Sequence, residues 1–254
     1  MPTSALIILI LLFFVTTAIG VVTGGNSLIT VPVMFQFGIE PRTAVATNMF
    51  GLMFMSIGAS IPFLRKGVIH PKKLSPLIVL TVIGSALGAL LVGWISDKTI
   101  PIIVSVAMIA VSIFTLVKQD AGIKSVPPAV AGGFTSALPI AYVLTFLLGI
   151  YGGLYSGGYV TILTSVFVAF LGMTFSEAVA GTKFINIFSS LIASIVFMWQ
   201  GLVDYKLGVI LAVTMFLGAY IGAHFVTKLN DLWLKRIFLT TVLILAIKTI
   251  FDFL

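Results

Sequence analysis

The chain holds 254 residues, 60% of them hydrophobic and 8% charged, where an ordinary soluble domain carries about 25% charged residues. Fourteen basic against seven acidic side chains give a net charge of +7, which in so apolar a chain reflects basic cytoplasmic loops and not a nucleic-acid surface. With no cysteine and only two histidines, disulfides, thiolate metal sites, cysteine nucleophiles and a conventional zinc site are excluded, and neither metal nor cofactor is expected.

Met1 to Ser4 carry no basic n-region, so a cleaved signal peptide is not expected. The first apolar stretch, residues 5–37, is interrupted by glycines near Gly20 to Ser27. Spans of about 20 residues, the length a bilayer requires, follow at 44–64, 74–95 and 99–117. Residues 118–138, rich in Pro, Gly, Ser and Ala and containing Pro127-Pro128, read as a linker. A second broken stretch at 139–171, interrupted near Gly152 to Gly158, precedes spans at 178–200, 207–226 and 237–253. The expected fold is an all-α polytopic membrane protein, one compact unit in the bilayer.

The chain contains itself twice. Residues 38–97 and 172–231, at a constant offset of 134, share 20 identities in 60 positions, well above the roughly one in ten that so skewed a composition gives by chance. Gly38 matches Gly172, Ala44-Val45-Ala46 matches Ala178-Val179-Ala180, Ser56 matches Ser190 and Asp97 matches Asp231. Repeat 1 is thus 1–117 and repeat 2 is 139–254, each a glycine-broken re-entrant hairpin plus three transmembrane helices. If each broken stretch returns to its own side, the halves are inverted and nine basic residues fall in the cytoplasmic loops 65–73, 118–124 and 227–236. Lys98 and Lys206 then lie outside, with both termini. A parallel arrangement divides the same charges less unevenly, so the inverted one obeys the positive-inside rule better.

Backbone that is not helical survives at membrane depth only where it is buried in protein or lines a wet cavity, and paired inverted repeats with broken helices are the usual build of a secondary transporter. The breaks read Gly24-Gly25-Asn26 and Ser156-Gly157-Gly158. A helix restarting after such a break presents free N–H groups and a positive dipole end, which favour an anion. The second candidate region is the start of the next helix: Thr47-Asn48-Met49 in repeat 1 and Thr182-Lys183 with Asn186 in repeat 2. Lys183 lies well inside an apolar span, where an unpaired charge costs roughly 2.5 kcal/mol or more. Asn186, one turn on, shares its face, while Met49 makes the site electrostatically lopsided.

Other polar residues read as structural. Thr174 and Glu177 form a capping box, Glu40-Pro41 marks a helix start, and Asp97 and Asp231 are expected to cap the last helix of each repeat. His70 sits in a basic loop and His224 near a helix end. Gly84 with Gly88, and Gly218 with Gly222, are small-xxx-small packing faces that leave a homodimer open. No P-loop, metal cluster, nucleophile with a base, or paired intramembrane carboxylate is visible, so an enzyme or a nucleotide-driven pump is not expected.

The first break with Val31-Pro32, the run Gly-Ile-Glu-Pro-Arg-Thr-Ala-Val-Ala-Thr-Asn at 38–48, and Gly-Thr-Lys-Phe-Ile-Asn at 181–186 followed by Ser189-Ser190 resemble the TauE/SafE (sulfite exporter) family. The resemblance covers nearly the whole chain. It implies a multi-pass inner-membrane permease for sulfite, sulfonates or other sulfur-containing anions, with the family's small-Thr-polar segments on Ala46-Thr47-Asn48 and Gly181-Thr182-Lys183. The chain departs from many relatives in having Met49 instead of a lysine. Residues and resemblance together point to a secondary exporter of small anions working by alternating access, in contact with its anionic substrate and the lipid bilayer. An anion channel, an uptake permease and a non-transporting assembly protein stay open as alternatives.

Overall fold

The computed structural model describes residues 3–117, 134–225 and 251. Among them lie nine helices and no strand: α1 Thr3–Thr23, α2 Ser27–Gln36, α3 Pro41–Arg65, α4 Pro71–Val92, α5 Thr99–Val117, α6 Phe134–Leu154, α7 Tyr159–Leu171, α8 Phe175–Trp199 and α9 Tyr205–Phe225. The expected span at 237–253, the loop at 227–236 with Asp231, and linker residues 118–133 lie outside the described residues.

Five of the helices are long and apolar enough to cross a membrane: Thr3–Val21, Pro41–Arg65, Pro71–Val92, Ser176–Trp199 and Tyr205–His224. By contrast α2, with 10 residues, and α7, with 13, reach only about 15 and 20 Å. Neither can cross a hydrocarbon core of about 30 Å. Ile7, Leu11, Val79, Val106, Val209 and Val213 are each more than half exposed, as a lipid-facing rim requires. Trp94 and Trp199, both largely exposed, line one shallow cavity with Arg42 and Gln200, where amphipathic rings mark a membrane interface.

Local chemistry explains the helix ends. Pro41 stands at the first helical position of α3, where its missing N–H costs nothing. Thr174 and Glu177 form the expected capping box on α8. Asp97 does something else: instead of capping α5 it accepts hydrogen bonds from Arg42 Nε at 2.9 Å and Arg42 Nη2 at 2.6 Å. A guanidinium fork fits a carboxylate better than one backbone donor does, and it holds the Asp97 carboxyl below the usual carboxylate range.

The glycine pairs set the helix spacing. A Cβ on Gly84 would stand 2.6 Å from the Phe146 carbonyl oxygen, and one on Gly88 would collide with the Ile150 carbonyl, so α4 packs on α6 backbone to backbone. In the repeat, Gly218 faces the Phe14 carbonyl and Gly222 the Ala18 carbonyl, so α9 packs on α1 in the same way. These faces are therefore used inside the chain, and they supply no argument for a homodimer. The long helices pair across the two halves of the chain: α3 packs on α9 as α8 packs on α4, and α3 and α8 pack on each other.

The two ends of the bundle are defined by what meets there. Arg42, Trp94, Trp199 and Gln200 share one end, and the α3–α4 and α7–α8 loops share the other. Helix α3 starts at the tryptophan end, whereas its repeat counterpart α8 starts at the loop end and finishes at Trp199.

Candidate functional site

The two breaks meet in the interior. Gly24, at φ +73°, lies against the first turn of α7: a Cβ there would stand 2.8 Å from Thr161 Oγ1 and 3.0 Å from Thr161 N. In return a Cβ on Gly157 would stand 2.9 Å from Leu28 Cδ2 in the first turn of α2. The Tyr155 hydroxyl, fully buried, donates to the Ser27 carbonyl at 3.0 Å, and Tyr151 donates to the Gly157 carbonyl. Gly158 precedes α7 at φ +77°, a left-handed conformation that glycine adopts without a Cβ penalty. Gly25 accepts from Leu28 N at 2.9 Å and so closes the first turn of α2.

Lys183 is 2% exposed. Its ammonium donates to the Gly20 carbonyl at 3.0 Å, at the last turn of α1, where the negative end of the helix dipole offsets part of its charge. Gly20 is also where Asn26 packs, since a Cβ on Gly20 would be 3.2 Å from Asn26 Cβ. Asn26 accepts from Thr17 Oγ1 at 3.4 Å, but its Nδ2 donor is buried without a partner. The buried ammonium thus meets the Gly20 carbonyl, and the Asn26 side chain, whose amide donor is unpartnered, packs beside the same residue. Among the described residues the salt bridge is Arg42–Asp97, and no carboxylate pairs with Lys183.

Several hydroxyl and amide side chains around this point are paired. Asn48 accepts from Thr30 Oγ1 at 2.7 Å and donates to Ser27 Oγ at 3.0 Å, which ties α3 to the start of α2. Its repeat counterpart Thr182 meets Thr164 Oγ1 at 3.1 Å, and this ties α8 to α7. Asn186 donates to Ser56 Oγ at 2.8 Å and accepts from Ser190 at 3.4 Å, so it braces the α3–α8 crossing. Although Lys183 and Asn186 share a helix face, they hold different partners. Thr47 points elsewhere: its Oγ1 accepts from Asp204 N at 3.0 Å, ahead of α9 and towards the tryptophan end. Thr30, Tyr155 and Thr164 belong to the cluster without having been singled out in the sequence. A hydroxyl one turn from a break, as Thr30 is from Asn26, was the available signal.

The family model described as "Sulfite exporter TauE/SafE" matches residues 8–249. The chain belongs to that family. Among its relatives, the probable membrane transporter protein ORF9 of Sinorhizobium sp is 28% identical over 94% of this chain and 90% of its own length. The probable membrane transporter protein YfcA of Escherichia coli K12 is 26% identical, over 95% of this chain and 89% of its own. The probable membrane transporter protein YdhB of Bacillus subtilis is 25% identical, over 92% and 96%. No solved structure matches. The matched residues include both glycine breaks and the buried Lys183.

Proposed function

We propose that this protein is a secondary transporter that exports small sulfur-containing anions, sulfite or a small sulfonate, across the cell inner membrane. The observation that carries the reading is the buried Lys183 ammonium at the Gly20 carbonyl, with the side chain of Asn26 packed beside Gly20. The Lys183 ammonium has three N–H groups, one of which meets Gly20, and Asn26 Nδ2 is unpartnered. An anion taken between them satisfies both and removes the cost of an unpaired charge at membrane depth. The starts of α2 and α7 add positive dipole ends beside the same place. Thr182 and Asn48 hold the restarting helices, and Asn186 fixes the crossing on which Lys183 is carried.

The repeats fit an inverted pair. Counterparts α3 and α8 begin at opposite ends, and the short helices α2 and α7 fit the returning arms of re-entrant hairpins. Arg65, Lys66, Lys72 and Lys73 crowd the end shared by the α3–α4 and α7–α8 loops, which the positive-inside rule places in the cytoplasm. The two repeats moving against each other give alternating access. Moving one negative charge outward is driven by an interior-negative potential, about 2.3 kcal/mol at 100 mV, so export can run without a coupling ion.

Reconstituted protein with sulfite, thiosulfate, a small sulfonate and a carboxylate control tests the reading. Saturable flux of the sulfur anions, with mutual competition and little carboxylate movement, is expected. Flux that rises linearly with concentration favours a channel, and no flux with any anion removes the transport reading.

A further inference from the structure

Beyond the buried site, the end bearing Lys72 and Lys73 holds a cavity of about 220 Å³ between the α3–α4 and α7–α8 loops. Its walls carry His70, Lys73 and Glu177, and its floor is Leu74 and Gly181. Leu74 is 2% exposed, and a Cβ on Gly181 would stand 3.5 Å from Leu74 Cδ2 and 4.0 Å from Phe167 Cε2. Immediately beyond Gly181 in α8 come Thr182 and Lys183. The floor of the cavity is thus an apolar contact, made two residues before Lys183 in α8.

The opposite end is built differently at the matching positions. Thr47 stands where repeat 2 has Gly181, and Gly208 where repeat 1 has Leu74. There the Thr47 hydroxyl accepts from Asp204 N at 3.0 Å, and Arg42, whose counterpart is Ser176, is paired with Asp97. One end is thus latched by a hydrogen bond and an ion pair, while the other is stopped by a leucine and a phenylalanine.

We infer that the cavity of His70, Lys73 and Glu177 is the vestibule through which a small anion reaches Lys183 from the lysine-bearing end, with Leu74 as the plug that sets what can pass. The inference rests on the proposed anion site for its destination and stands on the cavity for its route. Lys73 raises the local anion concentration, as a charge at the rim of a cleft does. The plug excludes by size, and Thr47 with Arg42–Asp97 holds the far side closed.

The native chain has no cysteine, so Leu74→Cys, Thr182→Cys and Thr47→Cys each carry the sole thiol. Membrane vesicles of both orientations are treated with an anionic methanethiosulfonate and its cationic counterpart, and the modified fraction is read by mass. Leu74→Cys is expected to react from the lysine-bearing side, with the anionic reagent ahead by about fivefold, and Lys73→Gln is expected to abolish that preference. Thr182→Cys should react at least about tenfold faster once Leu74→Gly is added, while Thr47→Cys stays unreactive from either side. Equal labelling of Leu74→Cys and Thr47→Cys, no charge preference, or no response of Thr182→Cys to Leu74→Gly overturns the inference. Leu74→Cys needs no cavity-forming change, so it decides the route even if Leu74→Gly misfolds. Labelling also needs no flux: the expected pattern without transport keeps the vestibule and removes the exporter, and transport without the pattern does the reverse.

Discussion

Gly24→Ala tests whether the two breaks bear on each other. Two costs are predicted at this position. Alanine at φ +73° carries the left-handed penalty of roughly 1–2 kcal/mol. Its Cβ would also lie 2.8 Å from Thr161 Oγ1 and 3.0 Å from Thr161 N, the second of which is backbone and cannot swing aside. Overpacking of this kind adds about 1–3 kcal/mol, for a total of roughly 2–5 kcal/mol. Gly67 and Gly201 separate the two costs, because they have φ +68° and +72° and a methyl added at either would meet nothing within 4 Å. At either one, alanine should cost only the conformational penalty. Thermal unfolding of detergent-purified variants reads the difference, since each 1 kcal/mol moves Tm by about 2–4 °C in a chain of this size. Gly24→Ala should fall below both controls by at least about 2 °C. If the three variants unfold together, Gly24 does not lie against α7 and the two breaks do not meet.

Other outcomes follow from named contacts. Asn48→Leu removes the donor to the Ser27 hydroxyl, while Thr30 keeps the Asn26 carbonyl as acceptor, and should cost about 1–3 kcal/mol, whereas Asn48→Gln, read in the same melts, should retain part of the stability. Gly88→Ala drives a methyl into the Ile150 carbonyl and Gly222→Ala into the Ala18 carbonyl; each should destabilise by about 1–3 kcal/mol while native mass spectrometry shows an unchanged oligomeric state. The Arg42–Asp97 pair, with side chains about 30% exposed, is worth at most about 1 kcal/mol. Because Asp97 titrates below its ordinary value, that contribution is present above the normal carboxylate range and is lost as pH falls through the lowered value. The Tm gap between wild type and Asp97→Asn should therefore close in acid and not at alkaline pH.

Much of the architecture was legible because membrane helices write their length into hydropathy. The breaks were legible because glycines cluster where helices stop, at Gly24-Gly25 and Gly157-Gly158. Burial of Lys183 followed from its depth in an apolar run. What the sequence did not reveal were partners. Lys183 and Asn186 share a face by spacing, yet one meets a backbone carbonyl of α1 and the other a hydroxyl of α3, and the difference depends on where α1 ends. Thr47 matches the family's segment but turns to Asp204, because the start of α9 presents an N–H there. Asp97 was expected as a cap and instead holds Arg42, a contact across 55 positions that no local pattern encodes. Gly84 and Gly88 read equally well as an outward dimer face and as an inward helix contact until α6 is seen lying on them.

Counterflow of radiolabelled sulfite in proteoliposomes, comparing wild type with Lys183→Met, tests the central claim most directly. Methionine is the residue the first repeat places at the matching position, so the change removes the charge with the least change of shape. The account predicts saturable, trans-stimulated flux in the wild type and a fall of roughly 10- to 100-fold in kcat/KM in a variant that melts like the wild type, the loss expected for a charge-assisted contact of about 1.5–3 kcal/mol. Wild-type flux and an unchanged KM in Lys183→Met would contradict it.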